Sequence, residues 1–175
     1  MTGKRPRPPL DEDALRDLAL RYVGRFATSR AKLLDYLRRK IGERGWSGEN
    51  PADPHALVER LAELRYVDDS GYALMKSASL GRRGYGARRV HESLRAAGIA
   101  DADRGAADAQ TKAQGWEAAE RLARRKRIGP FAAERPDPRQ REKWMAAFLR
   151  AGHGHALARR WVDAFPGEPP EKDEG

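Results

Sequence analysis

GRRGYGARRVHESLRAAG (residues 81–98) contains a spacing that recurs along the chain. An apolar residue at Val90 is followed four positions later by Leu94, and after four more by Gly98. The same spacing is found at Leu37, Ile41 and Gly45 and at Trp144, Phe148 and Gly152. The three glycines are 53 and 54 residues apart, a period that predicts repeated helical units. Gly98 and Gly152 each lie where a helix would end in the left-handed conformation, which favours a residue without a side chain.

Composition favours a helical protein with a polyanionic partner. Charged residues make up 35% of the 175 residues and aromatic residues 7%, a mixture that suits amphipathic helices better than a large sandwich or barrel core. The net charge of +9 is concentrated in segments such as residues 70–100, which favours a polyanionic partner. A solvated arginine-rich surface without a partner is the alternative. The chain has no cysteine, which excludes disulfides, thiolate metal ligands and a cysteine nucleophile.

Apolar residues with helical spacing divide the chain into three rounds of short helices. Helix starts are predicted where a side chain can accept a backbone N–H. These positions are Asp11 or Asp13, Thr28 or Ser29, Asp53 before Pro54, and Asp68 or Asp69. We predict a first three-helix repeat over residues 14–67, a second over 68–110 and a third over 111–165. The basic residues 1–13 and the acidic residues 166–175 are predicted to be disordered tails.

The glycines of the quoted segment do not form a nucleotide-binding motif. A P-loop needs a preceding strand and a Lys-Ser/Thr pair, and the dinucleotide fingerprint needs another glycine spacing. We therefore predict a flexible corner between two helices. His91-Glu92 begins like a zinc motif, but Arg95 occupies the position of the second histidine. His153 and His155 are predicted to lie at the surface. Together, these motifs give no indication of a metal site, a cofactor site or a catalytic site.

Three segments carry a resemblance to a known family. They are ALRYVGRFATSRAKLLDYL (residues 19–37), LAELRYVDDSGYA (residues 61–73) and GARRVHESLRAAGI (residues 86–99). In this order they resemble the opening helices, the Asp-Asp hinge and the later arginine-bearing helix of the RecX family, the bacterial regulators of the RecA recombinase. The resemblance spans about residues 14–165, with Ser93 in place of an acid of the family motif.

The resemblance implies an all-α protein of three tandem three-helix repeats that form an elongated, slightly curved bundle. It implies a monomer that binds the RecA filament on single-stranded DNA and contacts the DNA directly or through the filament. There it would lower the recombinase, ATPase and co-protease activities, and so regulate DNA repair and the SOS response, without chemistry of its own. The sequence has no secretory signal and no apolar run long enough for a membrane span, which predicts a cytoplasmic protein without a membrane partner.

Candidate contact residues are the arginines grouped on predicted helices and linkers rather than in the tails. Tyr85 joins them, because it is the aromatic residue set among arginines and glycines. The candidates are Arg38, Arg39, Arg82, Arg83, Tyr85, Arg88, Arg89, Arg124, Arg125 and Arg127. The alternative is a helix-turn-helix nucleic-acid-binding protein, in which TSRAKLLDYLRRKIGERGW (residues 28–46) would enter a groove. The start of that helix offers no Asn or Gln to read adenine, so sequence-specific readout has little support.

Overall fold

The computed structural model describes residues 7–172, and within that range the regular structure is helical. Its α-helices are α1 (Glu12–Arg25), α2 (Arg30–Arg44), α3 (Pro54–Glu63), α4 (Asp69–Arg82), α5 (Ala87–Ala96), α6 (Gly105–Ala113), α7 (Gly115–Lys126), α8 (Pro138–Arg150) and α9 (His155–Val162). Single turns of 3-10 helix occur at Asp101–Asp103 and Gly129–Phe131. The predicted all-α fold class is confirmed for the described residues. No helix among them has both the length and the apolar character needed to cross a membrane.

Side-chain caps begin several helices where the sequence predicts them. Asp11, Ser29 and Asp53 each accept a hydrogen bond from the amide three residues later, at 2.8, 3.3 and 2.9 Å. Asp68 accepts in the same way from the N–H of Gly71 at 3.0 Å, at the start of α4. Each cap satisfies one of the amides that the first turn of a helix leaves without an internal partner.

The glycines that define the sequence period all take positive φ. The values are +79° at Gly45, +70° at Gly98 and +91° at Gly152. The predicted left-handed positions at Gly98 and Gly152 are therefore confirmed.

The described chain divides into two compact units. Unit 1 contains the residues up to Tyr72 together with Ala97–Ile99, and unit 2 contains Ala73–Ala96 and the residues from Ala100 onward. The three-repeat organisation stays a prediction. Its boundary between residues 110 and 111 falls inside α6, because that helix continues to Ala113.

Unit 1 has an apolar core built from α1, α2 and α3. The buried residues of this core are Leu10, Leu15, Ala19, Leu33, Leu37, Val58, Leu61 and Val67. Leu10 is fully buried, its N–H donates to the carbonyl of Gly45 at 3.0 Å, and its carbonyl accepts from the N–H of Ser47 at 2.8 Å. The predicted disordered tail over residues 1–13 is therefore wrong from Leu10 onward, and residues 1–6 lie outside the described residues.

Polar contacts fix the first turn of α2 within unit 1. Ser29 is fully buried, and its Oγ donates to the carbonyl of Ala97 at 2.5 Å. Asp69 is also buried and accepts from the backbone N–H of Arg30 at 2.8 Å and from its Nε at 3.1 Å. Lys32 Nζ donates to the hydroxyl of Tyr72 at 3.0 Å. Buried polar groups are costly unless they are hydrogen-bonded, so this network holds the start of α2 in place.

Unit 2 contains a second apolar core, formed mainly by α7, α8 and α9. Its buried residues are Ala119, Leu122, Ala123, Ile128, Trp144, Phe148, Ala151, Ala158, Trp161 and Val162. Trp144 and Trp161 are both buried in this core. Trp116 is half-buried at the edge of the core, with its ring centroid 5.1 Å from that of Trp161.

The chain that follows α9 also contacts unit 2. The N–H of Gly167 donates to the carbonyl of Pro130 at 2.9 Å. Lys172 Nζ donates to a carboxylate oxygen of Glu117 at 2.8 Å. The predicted disordered tail over residues 166–175 is therefore wrong as far as Lys172, and residues 173–175 lie outside the described residues.

The GRRGYG corner between α4 and α5 is tightly packed, so the predicted flexible corner is wrong. Gly84 and Gly86 are buried. The N–H of Gly86 donates to the carbonyl of Ala151 at 2.9 Å, and the N–H of Arg88 donates to the carbonyl of Gly152 at 3.1 Å. A Cβ atom on Gly86 would lie 2.5 Å from the carbonyl oxygen of Gly152. Glycine is needed here because two backbone segments touch.

Replacement of Gly86 by alanine is expected to destabilise the protein. The new methyl group would force two backbone segments apart, and overpacking of this kind costs about 1–3 kcal/mol. Gly24 is the matched control, because a Cβ atom there meets nothing within 4 Å. Gly24→Ala is expected to be neutral or to stabilise α1 by up to about 1 kcal/mol. Urea denaturation measures both changes, and equal free energies of unfolding for G86A and the wild type would contradict the packed corner.

Candidate partner-binding surface

Exposed arginines surround the packed corner of unit 2. All nine candidate arginines are exposed. Seven of them lie at the end of α4, at the start of α5 and at the end of α7, namely Arg82, Arg83, Arg88, Arg89, Arg124, Arg125 and Arg127. Arg38 and Arg39 lie on α2 in unit 1 and do not belong to this group.

Two arginines of α7 hold the end of α4. The guanidinium of Arg125 donates to the carbonyl of Arg83, and that of Arg121 donates to the carbonyl of Gly81 at 3.3 Å. The last carbonyls of a helix lack internal partners, so these arginines satisfy the end of α4 from a neighbouring helix. Arg121 is not among the predicted candidates. Its spacing of four residues from Arg125 places both side chains on one face of α7. This spacing can be seen in the sequence and could have identified Arg121.

An open groove lies beside this corner. It has a volume of about 450 Å³. Its lining residues are Leu80, Arg83, Tyr85, Arg89, Glu92, Ser93 and Ala96, and we call it the basic groove. The guanidinium carbon of Arg83 lies 5.2 Å from the ring centroid of Tyr85, within the range of a cation–π interaction. Tyr85 is half-buried against the core of unit 2, so its ring supports the Arg83 side chain.

Glu92 is the carboxylate of the basic groove. It forms ion pairs with Arg89 at 3.4 Å and with Arg88 at 3.9 Å. Both pairs are exposed, and exposed ion pairs typically contribute about 0–1 kcal/mol, so an acidic ligand can displace them. Arg88 has a second contact, because its Nη2 donates to the carbonyl of Leu149 at 2.6 Å.

The remaining candidates around the corner differ in their local contacts. Arg124 pairs with Glu120 at 2.8 Å, and its guanidinium lies 4.4 Å from the ring centroid of Phe131. Arg127 ends α7 with a positive φ of 53°. Within residues 7–172, the side chains of Arg82 and Arg127 form no ion pair or hydrogen bond. Of the seven arginines, Arg88 and Arg125 donate to a backbone carbonyl. Within the same range, the guanidiniums of the other five, Arg82, Arg83, Arg89, Arg124 and Arg127, do not.

Two histidines, His91 and His153, have structural contacts. His91 Nε2 lies 3.2 Å from a carboxylate oxygen of Asp108 on α6. In the described part of the chain, no group of three or more His, Asp or Glu residues could hold a metal ion. His153 is only 5% exposed, so its predicted surface position is wrong. Its Nε2 is 2.9 Å from the carbonyl oxygen of Gly84, which requires a proton on that nitrogen, and burial lowers the pKa of its imidazole.

Comparison with known proteins places the chain among regulatory proteins. Regulatory protein RecX of Myxococcus xanthus (strain DK1622) is 33% identical over 172 residues, a match that covers 93% of this chain and 91% of the relative. The chain belongs to the RecX family. Regulatory protein RecX of Halorhodospira halophila (strain DSM 244 / SL1) is 32% identical over 140 residues, with 79% of each chain covered. No family model matches the chain.

A solved structure supports the fold of this RecX-family protein. The crystal structure of a regulatory protein RecX superposes with a TM-score of 0.64, covering 86% of this chain and 73% of the solved one. At 18% sequence identity this likeness shows a shared fold. The family resemblance predicted from the three ordered segments is confirmed, and so is the helical fold that it implies.

The free energy of unfolding is expected to fall as the pH drops below about 6.5, because of His153. Its pKa is lowered in the folded protein, so the unfolded chain takes up the proton first and is favoured in acid. This stability is complete above the unfolded pKa and is lost as the pH falls toward the folded pKa, at up to about 1.4 kcal/mol per pH unit.

His153→Gln is the matched variant, because a glutamine amide can donate to the carbonyl of Gly84 without titrating. Urea denaturation of both proteins at neutral and mildly acidic pH measures how much of the pH dependence of the free energy of unfolding is due to His153. Parallel pH profiles for H153Q and the wild type would contradict the role of this group.

Proposed function

We propose that this RecX-family protein binds the RecA filament on single-stranded DNA and lowers the recombinase, ATPase and co-protease activities of the filament. In this role it is a cytoplasmic, monomeric regulator of DNA repair and recombination, including the SOS response, and it catalyses no reaction. The observation that carries the proposal is the exposed arginine group around the packed corner of unit 2. The partner itself comes from the RecX family, whose members regulate RecA.

The basic groove supports contact with an acidic surface. Arg83 and Arg89 line it, and Arg82 is exposed in the same corner. Ser93 lines the groove at the position where the family motif carries an acid. The groove therefore has a single carboxylate, Glu92, against two guanidiniums, and its residual charge is positive. Such a surface attracts acidic side chains or phosphates, and the attraction weakens with salt.

A rigid backbone strengthens this proposal. The arginines emerge from a corner in which glycine backbones contact α7 and the turn after α8. Side chains on a fixed backbone lose less conformational entropy on binding than side chains on a mobile loop. The corner can therefore present its guanidiniums to a repeating filament surface with little reorganisation.

The first turn of α2 argues against the helix-turn-helix alternative. Ser29 is fully buried, Arg30 is bound to the buried carboxylate of Asp69, and Lys32 donates to Tyr72. A recognition helix reads bases with side chains near its N-terminus. Here those side chains are hydrogen-bonded to other residues of unit 1. We therefore favour the filament regulator over the helix-turn-helix protein.

The double variant Arg82→Glu/Arg89→Glu is expected to weaken binding to preformed RecA filaments by about tenfold or more, equivalent to about 1.4 kcal/mol. Both side chains are exposed and support no backbone carbonyl, so the fold should persist. Co-sedimentation with filaments on single-stranded DNA, at two salt concentrations, measures the change.

Arg139→Glu is the control for one charge reversal outside the corner, half the charge change of the double variant, because Arg139 is an exposed arginine on the first turn of α8. It is expected to bind filaments nearly as the wild type does. Equal binding by the double variant and the wild type would remove this corner from the proposal. A wild-type protein that binds free DNA but not filaments would refute the proposed partner.

A further inference from the structure

An open pocket lies in unit 1 between the start of α1, the loop after α2 and the start of α3. It has a volume of about 340 Å³. Its apolar wall is formed by Leu15, Trp46, Pro51 and Leu57, and we call it the Trp46 pocket. Small-molecule sites usually have an apolar wall of this kind with a few polar groups beside it.

Hydrogen bonds hold the loop that forms one side of the Trp46 pocket. The indole Nε1–H of Trp46 donates to the carbonyl of Asn50 at 2.7 Å, and the N–H of Asn50 donates to a carboxylate oxygen of Glu12 at 3.3 Å. A Cβ atom on Gly48 would lie 2.6 Å from both the Glu12 carboxylate and the indole ring, so the loop packs directly against them. The pocket is therefore already formed without a ligand, which lowers the cost of binding.

The rim of the pocket is negatively charged, although the whole chain carries a net charge of +9. Glu12 and Asp53 line the pocket and are exposed, and within residues 7–172 neither carboxylate forms an ion pair. Arg16 also lines the pocket, but it pairs with Asp13 at 2.7 Å. Both rim carboxylates lie at helix N-termini, each of which supplies about half a positive charge. Two carboxylates exceed that compensation, so the pocket attracts a cation.

The indole of Trp46 is an aromatic ring without a cation partner. Arginine side chains lie over other half-buried rings of this chain, as Arg83 does over Tyr85 and Arg160 over Trp116. Among the described residues, no cation lies within this range of the Trp46 ring and no other ring stacks on it. Indole is the side-chain ring that attracts cations most strongly. A cation held in the pocket would therefore be attracted by the indole as well as by the carboxylates.

We propose that the Trp46 pocket binds a small organic cation, in which an ammonium or guanidinium group is carried on an apolar body. The apolar body would displace water from the wall of the pocket. The cation would lie near Glu12, Asp53 and the indole of Trp46. An inorganic cation would gain nothing from the apolar wall, and a neutral apolar molecule would gain nothing from the carboxylates.

This inference goes beyond the proposed function. The Trp46 pocket is in unit 1, and its charge is opposite to that of the basic groove in unit 2. Its ligand is neither nucleic acid nor RecA, so binding can be measured with the protein alone. A failure here leaves the filament proposal standing, and a failure of the filament proposal leaves this pocket unaffected.

The experiment is an NMR titration of the isotope-labelled full chain with phenethylammonium, followed at the indole N–H signal of Trp46. Loss of that signal in Trp46→Phe assigns it. We expect the signal to shift until it saturates, because a ligand in the pocket changes the surroundings of the indole. Phenethyl alcohol has a similar apolar body without the charge, and it should bind about tenfold more weakly or worse. Phenylacetate carries the opposite charge and should not bind measurably.

The double variant Glu12→Gln/Asp53→Asn is expected to weaken binding of phenethylammonium by about tenfold, because two ion pairs with the ligand are lost. Glutamine can still accept from Asn50, and asparagine caps a helix as well as aspartate does, so the fold should persist. Unchanged binding of phenethyl alcohol would report an intact pocket. Asp17→Asn/Asp35→Asn is the matched control, because it removes two exposed carboxylates that do not line the pocket. It should bind phenethylammonium as the wild type does.

Two variants of Trp46 separate its ring from its hydrogen bond. Trp46→Phe and Trp46→Leu both lose the bond to Asn50, but only phenylalanine keeps a ring. Phenethylammonium should bind the phenylalanine variant about two- to fivefold more tightly than the leucine variant. The backbone N–H signals of Leu15 and Leu57 report binding in both variants.

Four results would overturn the inference. A Trp46 signal that does not shift to saturation would show that the pocket does not take the cation. Equal affinity for phenethylammonium and phenethyl alcohol would exclude a role for the carboxylates. Equal losses in the two double variants would assign binding to the overall charge of the protein. Equal binding by the phenylalanine and leucine variants would remove the indole ring from the site.

Discussion

Direct contact between two backbone segments is the constraint on which unit 2 depends. The corner before α5 donates from Gly86 to the carbonyl of Ala151, and the carbonyl of Gly152 accepts from Arg88. No side chain larger than hydrogen fits at this approach without displacing one segment. Because the corner is fixed, Arg125 at the end of α7 reaches the carbonyl of Arg83, and Arg83 and Arg89 line one groove.

The arginines around this corner have two different roles, which their residue type does not reveal. Arg121 and Arg125 donate to carbonyls at the end of α4 and therefore stabilise the fold. Arg82, Arg83 and Arg89 support no carbonyl and remain available to a partner. A guanidinium can satisfy a backbone oxygen or an external anion with the same donors. Only the tertiary structure distinguishes the two uses.

Local signals predicted most of the helices, and tertiary contacts account for what they missed. Capping residues and apolar stripes act within one helix, so α1 to α3 could be read from the sequence. Helix α6 buries only Ala107, so its sequence lacks the row of apolar residues that predicts a helix. The burial of Leu10 and His153 depends on residues distant in the chain, at Gly45 and Gly84. The rings of Tyr22 on α1 and Tyr36 on α2 are stacked with centroids 4.2 Å apart, and this contact likewise has no local sequence pattern.

The central claim is that this RecX-family protein acts on the RecA filament rather than on DNA in general. Its most direct test is single-stranded-DNA-dependent ATP hydrolysis by RecA from the same organism, titrated with the protein at moderate salt. We expect hydrolysis to fall at protein concentrations too low to coat the free DNA, with DNA occupancy measured in parallel. A fall that occurs only when the DNA is saturated, or no fall at all, would contradict the claim.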